Sequence, residues 1–232
     1  MKPLAIDLFC GLGGWTEGLL AEGYDVIGFD IERHWYGDAK YPAPLVLQDV
    51  TTLHGSQFKD AALIVASPPC QAYSYRAMPW KRAKELPPPD NTLFEACFRI
   101  QREACEASGR HIPLIVENVR GAQKWVGRSR WNFGSFHLWG DVPALMPMTK
   151  AIKNNGGTWF NIGSPGQKEL NRNPVHALIR EGAKQVGSGA AWFDNGLCRH
   201  GSASKARKAA SAHIAKIPFP LSQYIARVFL TA

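Results

Sequence analysis

Short apolar runs alternate with amphipathic stretches through the first 140 residues of the chain. Thr16 to Glu22 and Leu93 to Ser108 repeat apolar residues at helical spacing, and Asn91 is a suitable cap for the second helix. The apolar runs between them are short, as expected for strands buried on both faces. They predict strands at Leu4 to Phe9, Asp25 to Phe29, Leu45 to Leu47, Leu63 to Ala66 and Leu114 to Val116. Alternation of this kind is typical of βαβ units, so we expect an α/β fold with a doubly wound, mostly parallel sheet.

The second part of the chain differs from the first in composition and in hydrophobic periodicity. Phe136 to Gly140 predicts one more strand, but glycine and asparagine then become frequent and the periodicity fades. Residues 149 to 191 are predicted to be loop-rich, with a short helix at Pro174 to Glu181, as either an inserted recognition lobe or a long irregular connection. A basic helical stretch, Ser202 to Lys216, precedes an amphipathic helix at Leu221 to Leu230. We therefore expect a catalytic domain over 1–140, a reduced recognition region over 141–200, and a C-terminal segment over 201–232 that packs back on the catalytic domain.

Composition narrows the class of protein. The chain has 232 residues, of which 45% are hydrophobic and 20% charged, which is ordinary for a soluble globular protein. No apolar stretch reaches the roughly 20 residues that a membrane helix needs, and Met1 leads into the first strand without a signal peptide. The expectation is a cytoplasmic monomer without membrane contact. Five cysteines without a Cys-x-x-Cys pair argue against a disulfide framework and a zinc ribbon, so no metal is expected.

The charge pattern suggests a polyanionic partner. The formal net charge is +8, and lysine and arginine side chains displace counterions from nucleic-acid phosphates. Any single cluster of basic residues could also be an ordinary solvated face. Three such clusters, two of them interleaved with tryptophan, favour a nucleic-acid groove: Arg76, Lys81, Arg82 and Lys84; Arg120, Lys124, Arg128 and Arg130; and Arg199, Lys205, Arg207 and Lys208.

A single thiol follows the fourth predicted strand. Ser67-Pro68-Pro69-Cys70-Gln71 comes directly after the apolar run that ends at Ala66. Two prolines end the strand and stiffen the turn, and ligands of open α/β sheets bind outside the carboxyl ends of the strands. A buried structural cysteine is the alternative, since cysteine is often buried. Position on this turn favours a nucleophile.

Glycines and acids mark the ends of the first three strands. Residues Asp7 to Gly14, with the sequence DLFCGLGG, form the first strand-to-helix turn, where glycine allows close approach of a ligand. Asp30 and Glu32 follow the second strand, where an acid can accept hydrogen bonds from a ribose diol. Asp49 follows the third, within reach of an adenine amino group. Each feature alone is ordinary, but together they predict a nucleoside-shaped site.

The order DLFCGLGG, then Ser-Pro-Pro-Cys-Gln, then Glu117-Asn118-Val119 resembles the cytosine-C5 DNA methyltransferase family over roughly residues 4 to 140. The resemblance implies a Rossmann-like domain that binds S-adenosylmethionine, acts on double-stranded DNA, and is of the kind that phages and other mobile elements carry. The cofactor-binding residues implied are Asp7, Phe9, Cys10, Gly11, Gly13, Gly14, Asp30, Ile31, Asp49, Val50 and Pro69.

The chemistry of this resemblance depends on a few side chains. Carbon 5 of cytosine is too electron-poor to attack a methyl sulfonium, so a thiolate, from Cys70, first adds to carbon 6. Glu117 is expected to act at N3 as a general acid, and Asn118 to orient it and hold the Pro-Cys turn. The alternatives are an ion pair of Glu117 with Arg120 and a purely structural Asn118.

The target base must leave the duplex to be reached, which calls for a mobile basic loop beside the nucleophile. Residues 71 to 91 are expected to be that loop, although an ordinary surface loop is the alternative. The nucleic-acid contacts predicted are Gln71, Tyr73, Ser74, Arg76, Lys81, Arg82, Arg128, Lys205 and Arg207, with Tyr75 and Trp80 as further stacking residues.

Two family motifs are missing. No Gln-x-Arg-x-Arg sequence precedes Phe136 to Gly140, so Arg130, or else Arg128, is expected to take the catalytic arginine's place. Ile217-Pro218-Phe219-Pro220 stands where a Gly-Asn-Ala/Ser-Val sequence is usual. Two other functions stay open. One is an RNA methyltransferase of the same fold, disfavoured because no Cys-Phe-Thr tripeptide is present, and the other is a weakly catalytic module that binds cofactor and DNA.

Overall fold

The computed structural model describes residues 2–77, 81–146, 208, 212–213 and 215–230. The strands in this part of the chain are β1 (Leu4–Leu8), β2 (Asp25–Asp30), β3 (Trp35–Tyr36), β4 (Ala39–Lys40), β5 (Leu45–Leu47), β6 (Leu63–Ala66), β7 (Leu114–Asn118), β8 (Trp131–Phe133) and β9 (Phe136–Gly140). The α-helices are α1 (Gly14–Ala21), α2 (Gln71–Arg76), α3 (Lys81–Lys84), α4 (Thr92–Ser108), α5 (Gln123–Val126) and α6 (Phe219–Leu230). Short 3-10 helices cover Val50–Thr52, Gly55–Phe58 and Arg120–Ala122.

Seven of the strands form one sheet in the order β5-β2-β1-β6-β7-β9-β8. The first five strands in this order are parallel, and β9 and β8 add an antiparallel edge. All carboxyl ends of the parallel strands therefore lie at one edge of the sheet. The predicted doubly wound, mostly parallel sheet is confirmed. The hairpin of β3 and β4 and strand β8 were not predicted, because each is only two or three residues long.

Both faces of the sheet are covered, which explains why its strands are continuous apolar runs. Ile6, Ile64 and Val116 pack on one face with residues of α4, and Ala5 and Val65 pack on the other. The second face is covered by α1 and α6, whose side chains Leu19, Leu221 and Ile225 belong to the same cluster.

The last helix packs along the first. Glu22 of α1's C-terminal end accepts hydrogen bonds from Arg227 at 2.8 Å and from Gln223 at 2.9 Å. Lys216 pairs with Glu17 beside the start of α1. These contacts join two segments that are about 200 residues apart in the sequence, and they support the α1 turn from behind.

Two local predictions were wrong. Asn91 precedes α4, but its side chain makes no capping hydrogen bond; instead Asp90 Oδ1 accepts from the Thr92 backbone N–H at 2.8 Å and from its hydroxyl at 2.5 Å. The side-chain oxygen of Asn91 is occupied by the hydroxyl of Tyr73. Residues 71 to 91 are also not one continuous loop, since they include α2 and α3.

Several expectations lie outside the described residues. They are the helix at Pro174 to Glu181, most of the basic stretch Ser202 to Lys216, and nearly all of the recognition region 141–200. Within the part of the chain that the structure describes, none of the helices combines the length and the apolarity of a membrane span.

Candidate active site

A strained turn connects β1 to α1. Phe9 has a φ of 56°, which is unusual for a residue other than glycine and marks stored backbone strain. Gly13 has a φ of 77°, and a Cβ atom there would lie 2.5 Å from the Pro42 ring. Around Gly11, by contrast, no atom of the described residues beyond its chain neighbours lies within 4 Å of such an atom. The turn is thus closed on the Pro42 side and open at Gly11, as a ligand-binding turn should be.

Asp7 lies buried under this turn, between the sheet and α1. Its Oδ2 accepts a hydrogen bond from the Thr16 hydroxyl at 2.6 Å, and the Tyr41 hydroxyl lies 2.7 Å from that same Thr16 oxygen. Its Oδ1 has no hydrogen-bond partner among the described residues. Burial, and to a smaller extent the charge of Asp30, raises the pKa of Asp7 to about 7. Thr16 and Tyr41 were missed from the sequence, because neither belongs to a strand end.

This pKa gives a stability prediction. The pKa is 3.8 in the reference state and about 7 in the fold, so the unfolded chain loses its proton first and the protein loses stability as pH rises between those values. Asp7→Asn removes the ionisation, and its melting temperature should exceed the wild-type value by on the order of several degrees at pH 8, and by less at pH 5. Thermal unfolding at both pH values tests this, and an equal difference at both would contradict it.

Asp30 is held at the end of β2 by several donors. Its Oδ2 accepts from the Gly11 backbone N–H at 2.9 Å, and its Oδ1 accepts from the Glu32 N–H at 3.3 Å and lies 3.6 Å from His34 Nε2. Burial alone would raise the pKa of Asp30, but the bonds from His34, Gly11 and Glu32 lower it below its ordinary value. Asp30 is therefore a carboxylate next to the turn. The adjacent Ile31 side chain is 73% exposed, although it is apolar.

The end of β5 completes this side of the site. Asp49 is exposed and its Oδ1 accepts from the Thr51 N–H at 2.9 Å and hydroxyl at 2.8 Å. Those bonds lower the pKa of Asp49. Val50 is buried under the 3-10 helix that Asp49 caps. Cys10 is buried as well, and burial raises the pKa of its thiol.

Cys70 follows β6, and Glu117 lies near the carboxyl end of the neighbouring parallel strand β7. Ala66 of β6 is opposite Val116 of β7, so the turn that carries Cys70 starts beside the strand end that carries Glu117. Asn118 joins the two: its Nδ2 donates to the Pro68 carbonyl at 3.0 Å, and its Oδ1 accepts from the Val119 N–H at 2.8 Å. The contact predicted between Asn118 and the Pro-Cys turn is present. Asn118 and Glu117 are both buried, and Cys70 is half-buried.

Two further contacts hold the Cys70 segment. Trp15 of α1 donates from its indole to the Ser67 hydroxyl at 3.0 Å. On the other side, α2 packs against Gly121, where a Cβ atom would lie 2.9 Å from the Tyr73 carbonyl oxygen. The turn is thus clamped between α1, the end of β7 and the 3-10 helix that follows it. Trp15 was not predicted, since its position beside Ser67 depends on the packing of α1 on the sheet.

Residues 4–127 match the family described as C-5 cytosine-specific DNA methylase, which is 124 of the 232 residues. The chain belongs to this family. Type II methyltransferase M.DdeI of Desulfomicrobium norvegicum is 28% identical over 134 residues, covering 54% of this chain and 30% of the relative.

Solved structures resemble this chain as well. One is assigned to a DNA modification methyltransferase encoded within a prophage of E. coli, with 24% identity, a TM-score of 0.38, and coverage of 54% of this chain and 35% of that one. The Entamoeba histolytica methyltransferase EhMeth has 10% identity and a TM-score of 0.53, with coverage of 100% of this chain and 99% of that one. The second likeness supports the fold. The chain spans about a third of the length of M.DdeI and of the prophage protein.

The residues expected to contact nucleic acid differ in exposure. Tyr73 is buried in the core with only 3% exposure, so the expectation that it stacks on a base is wrong for this arrangement of α2. Its ring faces inward because α2 packs against residues 120–122. Gln71 is exposed at the start of α2 and Ser74 is half-buried. Arg76 is turned back on the protein, donating to Pro87 O at 2.8 Å and Ala72 O at 2.9 Å.

The remaining basic residues are exposed or undescribed. Lys81 is exposed and lies 3.8 Å from Glu85, and Arg128 and Arg130 are both exposed. Lys205, Arg207, Trp80 and the side chain of Arg82 lie outside the described residues. The exposed arginines follow the end of β7, on the chain that continues from Glu117.

Arg130 is placed by the hairpin at the edge of the sheet. Trp131 is opposite Leu138, which is opposite Glu117, and the Arg130 N–H donates to Leu138 O at 2.8 Å. The main chains of Glu117 and Trp131 are thus two strands apart, about 10 Å. Arg130 itself precedes β8 and is exposed. Its role as the missing catalytic arginine stays a prediction.

A polar network that was not predicted shapes the loop before β8. Ser129 donates from its backbone N–H and hydroxyl to Gln123 Oε1 at 3.2 and 3.1 Å, and its hydroxyl lies 2.9 Å from His137 Nδ1. Trp139 donates to the Gly127 carbonyl at 3.0 Å. Burial, followed by the nearby Arg120 charge, lowers the pKa of His137. The loop that bears Arg128 is therefore held at both ends.

Proposed function

We propose that this chain is an S-adenosylmethionine-dependent methyltransferase that methylates carbon 5 of cytosine in double-stranded DNA, with Cys70 as its nucleophile. The observation that carries the proposal is the hydrogen bond from Asn118 to the Pro68 carbonyl. It ties the strand end bearing Glu117 to the turn bearing Cys70, so that a nucleophile and a carboxyl serve one substrate. A binding module would need neither group.

The residues around the first turn suit S-adenosylmethionine. The buried Asp7 Oδ1 has no partner among the described residues, and a cationic amino group is the kind of partner it lacks. Asp30 is a carboxylate that can accept hydrogen bonds from ribose hydroxyls, and the exposed Ile31 offers an apolar surface for an adenine ring. Asp49 and the buried Val50 follow on the next strand. When bound, this cofactor supplies a methyl group on a positively charged sulfur.

The protein's own side chains prepare the base. The Cys70 sulfur forms a bond with carbon 6 of cytosine, and the electron pair of the carbon 5–carbon 6 double bond moves into the ring, where carbon 5 becomes nucleophilic. Glu117 donates a hydrogen bond or a proton to N3, which relieves the negative charge that builds up there. After carbon 5 is methylated, loss of its proton lets the carbon–sulfur bond break, which returns Cys70 and the aromatic ring.

The choice of DNA as the substrate rests on the net charge of the chain and on the family to which it belongs. The net charge is +8, and Lys81, Arg128 and Arg130 are exposed on segments that adjoin the Cys70 turn or the end of β7. Since carbon 6 is inaccessible in a stacked duplex, the target cytosine must be flipped out. We assign the phosphate contacts to these basic side chains, with Lys205 and Arg207 as further contacts. A cytoplasmic monomer is consistent with this activity.

The direct test is methyl transfer. The purified full chain is incubated with methyl-labelled S-adenosylmethionine and either duplex DNA or bulk tRNA, and the products are digested to nucleosides. Label in 5-methyldeoxycytidine from DNA is the expected result, because a flipped cytosine can reach Cys70. Label confined to tRNA would contradict the choice of substrate, and label in N4-methylcytosine or N6-methyladenine would contradict the nucleophile.

A further inference from the structure

The hydrogen bonds under the glycine turn run in one direction. Thr16 has one hydroxyl proton, and while Asp7 Oδ2 carries no proton, it is donated to that oxygen at 2.6 Å. The Thr16 oxygen must therefore accept at its contact with Tyr41, so the Tyr41 hydroxyl donates to Thr16 across 2.7 Å. The result is a relay from Tyr41 through Thr16 to Asp7. Hydrogen bonds in such a chain polarise each other, so the Tyr41 hydroxyl strengthens the bond that Asp7 receives.

Tyr41 is built into the back of the turn. Its ring occupies the space of a missing side chain at Gly28, where a Cβ atom would lie 2.3 Å from the ring, and Gly28 is directly opposite Asp7 in the sheet. It also lies 3.0 Å from the position of a Cβ atom at Gly13. Tyr41 thus touches the turn itself, the strand beside Asp7 and the hydroxyl of α1. A ring held at three points fixes the position of its hydroxyl.

The titratable groups around Asp7 in the described residues do not neutralise its negative charge. Asp30 from the end of β2 and the Cys10 thiol from the turn are the titratable groups that interact with it besides Tyr41. Asp30 raises the pKa of Asp7, and Thr16 lowers it. No cation among the described residues pairs with Asp7, and its Oδ1 is buried without a partner. Burial raises the pKa of Asp7 to about 7, so the carboxyl is partly protonated near neutral pH.

We propose that the relay from Tyr41 through Thr16 sets the protonation state of Asp7, so that binding of a cationic ligand at the glycine turn releases a proton from this carboxyl. The step is balanced: the Asp7 Oδ1–H bond breaks, its proton passes to solvent, and the ligand's positive charge replaces it beside the carboxylate. Tyr41 and Thr16 are positioning residues in this account. The proposal rests on the function proposed above, because it takes S-adenosylmethionine as the cation.

The test is calorimetric titration of the full chain with S-adenosylmethionine in two buffers of different ionisation enthalpy, repeated at several pH values. The difference between the buffers gives the number of protons released. Wild type should release more protons per ligand than Asp7→Asn near neutral pH, and this excess should fall towards zero as the pH rises. Subtracting the proton release of Asp7→Asn from that of wild type cancels the protons released by other groups, such as His34 beside Asp30.

The relay is tested with a matched pair of tyrosines. Tyr41→Phe should move the midpoint of proton release upward by roughly half to one pH unit, because the carboxylate loses support through Thr16. Tyr24→Phe also removes the hydroxyl of a buried tyrosine, but one that donates to Ala226 O at 3.1 Å, and it should leave the midpoint unchanged. Thr16→Ser keeps the relay and should match wild type, whereas Thr16→Ala also removes the direct bond to Asp7 and should raise the midpoint further than Tyr41→Phe does.

The outcomes separate the two proposals. Absence of any binding heat for S-adenosylmethionine would overturn the proposed function. Binding with the same proton release in wild type and Asp7→Asn would overturn the inference alone. Equal midpoints for Tyr41→Phe and Tyr24→Phe would also overturn it, and the two Thr16 variants decide the matter if Tyr41→Phe does not fold.

Discussion

Replacing Cys70 with alanine is expected to reduce methyl transfer by about 10³-fold or more, which is the scale of loss when a covalent nucleophile is removed. In the proposed mechanism, carbon 5 of cytosine becomes nucleophilic through addition of the Cys70 sulfur to carbon 6. The fold should persist, because Cys70 is half-buried and the turn is held by Asn118 through Pro68. The measurement is single-turnover transfer to duplex DNA, with circular dichroism and S-adenosylmethionine binding recorded on the same preparation.

Cys105 provides the matched control. It is also half-buried, but it lies on α4 and its Sγ accepts from the Ile112 N–H at 3.2 Å. Cys105→Ala should keep its transfer rate within a few-fold of wild type, at some cost in stability. Turnover by Cys70→Ala near the wild-type rate would show that the nucleophile is elsewhere. A loss in both variants would indicate a general effect of cysteine replacement.

Gly18→Ala is expected to lower the free energy of unfolding, although alanine is the better helix former. A Cβ atom at Gly18 would lie 2.4 Å from backbone atoms of Ser222 and Gln223, and backbone at that distance yields only if all of α6 moves. Overpacking of this kind costs about 1–3 kcal/mol, which outweighs the roughly 1 kcal/mol that helix propensity would contribute. Urea unfolding measures the difference.

Ala21 in the same helix is the control for propensity. It is exposed, so Ala21→Gly adds no clash and loses only helix propensity, at most about 1 kcal/mol. Ala21→Gly, which removes a methyl group, and Gly18→Ala, which adds one, should therefore both lower the free energy of unfolding. If Gly18→Ala proves more stable than wild type, α6 does not pack against α1 as closely as described. Cofactor affinity should fall with Gly18→Ala, because Ile217 supports the start of α1 beside Gly14.

The parts of the site that follow strand ends could be predicted from the sequence. A buried parallel strand is recognisable as an apolar run, and its carboxyl end is then known to within about two residues. Cys70, Glu117, Asp30 and the Gly11 turn are all found that way. The strand lengths differ from prediction by at most two residues, as in β7, which extends to Asn118.

The remaining features of the site depend on contacts between residues that are far apart in the sequence. Tyr41 approaches Asp7 only because the chain returns past the turn, and nothing local in the sequence indicates that its hydroxyl meets Thr16. Tyr73 is in a segment rich in polar and basic residues, which favoured a surface role, but the packing of α2 turns its ring inward. The position of Arg130 follows from the antiparallel pairing of β8 and β9 with β7. The register of these strands is fixed only when the whole sheet assembles, so the position of Arg130 could not be predicted from the local sequence.

The hydroxyl of Tyr224 on α6 donates to the carbonyl oxygen of Leu145, and Lys216 pairs with Glu17 of α1. Two segments far apart in the sequence, one after β9 and one before α6, are therefore both anchored on the α1–α6 layer. A change that separated α6 from α1 would loosen both anchors at once.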